Sequence, residues 1–153
     1  MNQTTKINWH DHSGGKATVL ACMDPRFAPE SLDIPPLLLA MPELGKPDVI
    51  RLAGVGQNLI NPEHRAGALH SINLSIEAHG SGLVVLYHHY DCGAYGSTKK
   101  CGDGGEAERK FHATELKKAR EVLRSFLVAN GKSDVAIKLA YLDEDTEVVI
   151  IEG

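Results

Sequence analysis

Positive charge is the first thing this chain does not have in surplus. Its 153 residues carry 16 Lys and Arg against 20 Asp and Glu, a net charge of −4, and no basic stripe interrupts that balance. Binding to nucleic acid by neutralising phosphates is therefore not expected. Long apolar runs are missing as well. The longest, such as Pro35-Pro36-Leu37-Leu38-Leu39-Ala40-Met41, fall far short of the ~20 residues that cross a bilayer, so no membrane partner is expected. The N-terminus, Met1-Asn2-Gln3-Thr4-Thr5-Lys6, leads into further polar residues without an apolar signal core, so secretion is not expected. Cysteine is scarce: three are too few, and an odd number, for a disulfide framework. That favours a reducing compartment, the cytoplasm, and metal or catalytic use of the thiols. Internal repeats and linker-like stretches are also absent. A chain of 153 residues then reads as one domain, 1–153, with one core.

What is present reads as alternating strands and helices, hence an α/β domain with a mainly parallel open sheet flanked by helices. Residues 17–21 follow a Gly-Gly turn as a short apolar strand that delivers Cys22 at its carboxyl end. The next stretch holds Pro25, Pro29, Pro35, Pro36 and Pro42, and reads as a loop around one short helix at 37–43. Residues 48–52 form a second strand ending in a flexible Gly54-Val55-Gly56. Asn61-Pro62 gives a helix a capping side chain and a first-turn proline, and Gly80 stops it. Leu69, Ile72 and Ile76 mark its apolar face. Residues 83–87 are a third strand running into His88-His89. The longest helix covers 106–129, with Ala119, Val122, Leu123, Phe126 and Leu127 inward. Residues 135–142 and 147–151 close the chain as an edge hairpin around an acidic turn.

Two segments carry the chemistry: Cys22-Met23-Asp24-Pro25-Arg26 and His89-Tyr90-Asp91-Cys92-Gly93. Taken singly, Cys22 is a small hydrophobe and His89 a hydrogen-bonded histidine. Together, two thiolates and one imidazole are the ligand set of an open zinc site, with one tetrahedral position left for chemistry. Asp24 and Arg26 are two apart, which places both side chains on one side of an extended segment. Beside a metal, a guanidinium can hold the carboxylate by two parallel hydrogen bonds. His88 should point to the opposite face from His89. Cys101, in a polar Lys- and Gly-rich loop, is read as a bystander thiol, and His10 and His12 as a solvated tail. The site closes only if the strands ending at Cys22 and His89 are neighbours whose connections diverge.

At these residues the chain resembles the β-class carbonic anhydrases, especially the short, archaeal-type members. Cys22-Met23-Asp24-Pro25-Arg26 matches the family's Cys-x-Asp-x-Arg, and His89-Tyr90-Asp91-Cys92-Gly93 its His-x-x-Cys-Gly. Between them, Arg51-Leu52-Ala53-Gly54 is similar to the family's Arg-Asn-Ala-Gly, with Leu52 in place of the asparagine. The resemblance runs from about residue 17 to 94 and more loosely to the closing strands. It implies one Zn2+ per chain held by Cys22, His89 and Cys92, with Asp24 and Arg26 as a dyad orienting a metal-bound hydroxide that attacks carbon dioxide to give bicarbonate. It allows Asp24 itself to take the fourth position in a resting state. It also implies a homodimer or higher homo-oligomer. Few residues precede the first strand, so the N-terminal helix that embraces the partner in relatives is expected to be abbreviated or missing.

Two alternatives stand beside carbon dioxide hydration. One is hydrolysis of a sulfur analogue, carbonyl sulfide or carbon disulfide, at the same site. The other is a non-catalytic zinc-binding domain with a closed fourth position. Cysteine-nucleophile phosphoryl or sulfur transfer fits poorly, because the loop after Cys22 holds Pro25 rather than several glycines to cradle an oxyanion.

Overall fold

A computed structural model of the chain describes residues 6–153; the polar stretch 1–5, on which part of the N-terminal reading rests, lies outside the described residues. Five strands form one sheet in the order β2-β1-β3-β4-β5, with β1 at Thr18–Ala21, β2 at Asp48–Arg51, β3 at Leu83–His89, β4 at Ala136–Leu142 and β5 at Val148–Ile151. Strand β1 pairs in parallel with β2 on one side and β3 on the other, and β3 in parallel with β4. The closing pair, β4 and β5, is antiparallel. This is the expected α/β architecture with its edge hairpin.

Four helices connect the strands: α1 at Ile34–Ala40, α2 at Gln57–Ile60, α3 at Pro62–His79 and α4 at Gly105–Ala129. On one face of the sheet Leu20, Val84 and Leu86 meet Leu59 of α2, Ala68 and Ile72 of α3, and Leu116, Ala119, Leu123 and Leu127 of α4. On the other, Val19, Ala21, Val85 and Tyr87 meet Leu37 of α1 with Met41 and Leu44. The connection from β1 leads one way along the sheet and those from β2 and β3 lead the other way. Right-handed crossovers then require their helices on opposite faces, as found.

Local signals explain most of the boundaries. Asn61 caps α3 by accepting the Glu63 amide at 3.0 Å, Pro62 opens it, and Gly80 ends it at φ +74. The short helix expected at 37–43 lies three residues earlier, at Ile34–Ala40. Pro35 and Pro36 sit within α1, in its first turn, where a missing N–H costs nothing. The Gly54-Val55-Gly56 segment is not a loose hinge either. Val55 is fully buried and the short helix α2 follows at once. The inward face of α4 begins earlier than its apolar residues, because Glu108 and His112 are buried ahead of Leu116.

Leu86 lies at the centre of β3 with no exposed surface, so Leu86→Ala is expected to cost about 2–5 kcal/mol. Leu39, 86% exposed on α1, is the control: Leu39→Ala should stay within about 0.5 kcal/mol. Urea unfolding followed by circular dichroism measures both.

Candidate metal centre

Cys22 leaves the carboxyl end of β1, and His89 ends the neighbouring β3, with Cys92 following. The next strand after β1 lies on one side and the next after β3 on the other. The crevice between these two strand ends is thus a topological switch point. There the ligand atoms of Cys22, His89 and Cys92, all three residues buried, lie within 4.8 Å of one another and could hold a metal ion. Alternation along β3 sends His89 here and His88 to the α4 face. The loop after β2 reaches the same place. Gly54, at φ +69, comes so close to Ala94 that an added Cβ would lie 2.8 Å from the alanine methyl.

The donor set fits a soft or borderline cation. His89 Nδ1 lies 2.7 Å from the Tyr90 carbonyl, which can only accept, so the proton belongs on Nδ1. That turns the Nε2 lone pair inward, where Nε2 is buried with no hydrogen-bond partner among the described residues. Phe27 packs edge-on against the ring, with centroids 5.1 Å apart. The thiols are already biased. Hydrogen bonding from Cys92, with help from His89 and the Gly54 amide against the opposing effect of burial, draws the Cys22 thiol well below its ordinary range. The Cys22 sulfur and burial push Cys92 up in turn. Burial disfavours a charged His89, but the neighbouring Cys22 outweighs it and the imidazole shifts upward. Two thiols this close share one negative charge, carried on Cys22 beside His89.

Asp24 and Arg26 do pair, by a local route other than the extended one expected. Asp24 caps the short 3-10 turn Pro25–Phe27, accepting the Arg26 amide on Oδ1 at 2.8 Å. The Arg26 guanidinium then grips the same carboxylate twice, Nε to Oδ1 at 2.9 Å and Nη2 to Oδ2 at 2.7 Å. This clamp lowers the Asp24 carboxyl to about 2. Asp24 Oδ2 lies 3.8 Å from His89 Nε2, beside the ligand atoms.

Further residues complete the frame, through contacts that the sequence reading did not specify. Asp91 accepts from Arg26 Nη1 on Oδ2 at 3.1 Å and from Arg26 Nη2 on its carbonyl at 2.8 Å, which joins the two motifs 65 residues apart. Arg51 donates to the Cys22 carbonyl at 2.9 Å while forking onto buried Asp33 at 2.7 and 2.9 Å. His88 accepts the Gly56 amide on Nε2 at 3.0 Å, so its Nδ1 proton points to His112 Nδ1 at 2.9 Å. Cys101 is buried, with its sulfur 3.7 Å from the Tyr95 carbonyl, and is not one of the grouped ligands. His10 and His12 are exposed and stay apart from the group. A cleft of about 170 Å³ lined by Arg26, Phe27, His89, Tyr90 and the acidic turn opens beside the centre. A larger one, about 450 Å³, lies along β4, β5 and the end of α1 and shares none of these residues.

With this geometry in view, a family model described as "Putative carbonic anhydrase" matches residues 12–152. The chain belongs to that family. Membership in this carbonic anhydrase family agrees with the β-class resemblance of the two motifs. A search of curated proteins finds no match. Among the described residues, no helix is long and apolar enough to cross a membrane.

The buried histidine pair beneath the centre has a measurable signature. Burial, aided by the charge of His89, lowers His112 from 6.5 to about 4, so the folded chain refuses a proton that the unfolded chain takes up. The His112 contribution is therefore complete above about pH 6.5 and lost as pH falls towards 4, by the order of 3 kcal/mol. Replacing His112 by Gln should reduce the slope of the urea midpoint against pH across that window; an unchanged slope would count against the assignment.

Proposed function

We propose that residues 1–153 form a single β-carbonic-anhydrase-like domain that holds one Zn2+ through Cys22, His89 and Cys92 and catalyses reversible hydration of carbon dioxide to bicarbonate. The observation that carries this reading is His89 Nε2, fixed inward, buried and without a hydrogen-bond partner among the described residues, facing two cysteine sulfurs with Asp24 Oδ2 3.8 Å away. Two thiolates and one imidazole suit zinc and leave it one position short of tetrahedral. When bound, zinc supplies the Lewis acidity that makes water a nucleophile near neutral pH.

The side chains account for the rest of the chemistry. Asp24 Oδ1 is engaged by the Arg26 amide and Nε, and Oδ2 takes one bond from Nη2, which leaves Oδ2 acceptor capacity facing the ligand atoms. A carboxylate held near 2 stays ionised at neutral pH, so Asp24 acts as a hydrogen-bond acceptor that aims the reacting water. Phe27, packed on His89, gives the small apolar electrophile a wall with no competing donor. Hydration of carbon dioxide by water gives bicarbonate and one proton, and that proton leaves to buffer.

The same reading takes the protein to be a cytoplasmic homodimer or higher homo-oligomer. Three free cysteines support a reducing compartment. Strand β2 supports self-association, as a sheet edge paired among the described residues only with β1 and carrying the half-exposed Val49.

Stopped-flow carbon dioxide hydration with zinc-loaded protein tests the proposal. Activity is expected well above buffer, with Cys22→Ser losing both metal and rate. Asp24→Ala is expected to keep zinc and lose about 100-fold or more in kcat/KM. Fully loaded wild-type protein that hydrates no faster than buffer would sink it. Release of hydrogen sulfide from carbonyl sulfide in its place would assign the sulfur analogue, and loss of neither activity in Asp24→Ala would remove the dyad from the mechanism.

A further inference from the structure

Glu108 lies near the start of α4 and is completely buried, although it is a carboxylate. Its Oε2 accepts the Asp91 amide at 2.7 Å. Asp91 stands between the proposed ligands His89 and Cys92 and has φ +57, a left-handed conformation that costs an L residue free energy, though least for Asn and Asp. The other bonds of Asp91 go to Thr98 and Arg26. Its Oδ1 accepts the Thr98 amide at 3.0 Å and hydroxyl at 3.1 Å, and its Oδ2 and carbonyl bind Arg26. One hydrogen-bonded line therefore runs from Glu108 through Asp91 and Arg26 to Asp24.

Stability alone does not call for a carboxylate at this position. Glu108 Oε1 has no hydrogen-bond partner among the described residues, and the same holds for His112 Nε2, one turn along α4, and for Tyr141 Oη. A buried carboxylate with one of its oxygens unpaired contributes less than an apolar side chain of the same volume would. What Glu108 supplies that an apolar residue cannot is a fixed acceptor for one particular amide.

We propose that Glu108 is a positioning residue for the metal centre: by holding the Asp91 amide, Oε2 fixes the left-handed turn that spaces His89 from Cys92 and seats the clamp of Asp91 and Arg26 on Asp24. The proposal rests on the metal-centre reading above. It requires the reach of the side chain rather than its charge. Glu108→Gln keeps the length and an acceptor oxygen, whereas Glu108→Asp keeps the carboxyl group and withdraws the oxygen by one methylene.

Zinc affinity, measured by competition with a chromophoric chelator, separates these variants without recourse to activity. Glu108→Gln is expected to bind zinc within about 3-fold of wild type and Glu108→Asp to lose about 10- to 100-fold. In cobalt-substituted protein, Glu108→Gln should retain the wild-type thiolate-to-cobalt absorption bands and Glu108→Asp should shift them. Glu108→Met, which keeps the volume without the acceptor, carries the same expectation as Glu108→Asp and replaces it if that variant does not fold. Wild-type affinity and spectra in both Glu108→Asp and Glu108→Met would overturn the proposal, as would a loss in Glu108→Gln equal to theirs. A wild-type chain that takes up no zinc would instead overturn the metal-centre reading, and this proposal with it.

Discussion

Strands β1 and β3 pair in parallel through Thr18 with Val84, Val19 with Val85 and Leu20 with Leu86, and the next residues along each strand lead straight to the site. This register carries Cys22 and His89 to the same edge of the sheet, and the diverging connections on either side leave a crevice there. A shift of one residue would turn the His89 side chain to the α4 face and bring His88 in its place. The apolar alternation that holds the register is therefore also what chooses between the two histidines. Val84 and Leu86 are packed against α3 and α4, while Val85 and Tyr87 are packed against α1.

Given that register, the centre is held by polar contacts drawn from distant parts of the chain. Arg26 makes the decisive one, since a single guanidinium orients Asp24 and grips Asp91 in the opposite motif. Arg51 performs a similar service behind Cys22, binding its carbonyl while anchored to Asp33. Tyr87 secures that anchor by donating to the Asp33 carbonyl at 2.9 Å. Both arginines use planar, two-pronged geometry that a lysine could not reproduce. The candidate ligands are set in advance: Tyr90 orients the His89 ring, and backbone amides face both sulfurs.

The parts of this arrangement legible in the sequence are those with a local signature. Cysteine, histidine and the acid-base pair announce themselves by type and spacing, and the split between His88 and His89 follows from a period of two. Helix α3 is framed by Asn61, Pro62 and Gly80, each with a direct physical effect on the backbone. The adjacency of β1 and β3 had no local sign and was required only by the chemistry. Asp91, Glu108, Asp33 and His112 stay invisible for the same reason: each matters through hydrogen bonds to residues well separated from it in sequence. Glu108 and His112 also look like the solvated start of an amphipathic helix until α4 is seen against β3 and β4. Pro35 and Pro36 misled in the other direction, since a proline pair within the first turn of a helix reads from sequence as a break.

The central claim is that Cys22, His89 and Cys92 converge on one metal with an open or lightly held fourth position. Zinc K-edge X-ray absorption of the loaded protein reads that coordination directly. The account predicts two sulfur scatterers at about 2.3 Å with imidazole nitrogen and one further light atom at about 2.0–2.1 Å. A first shell of three or four sulfurs, or of light atoms alone, would contradict it.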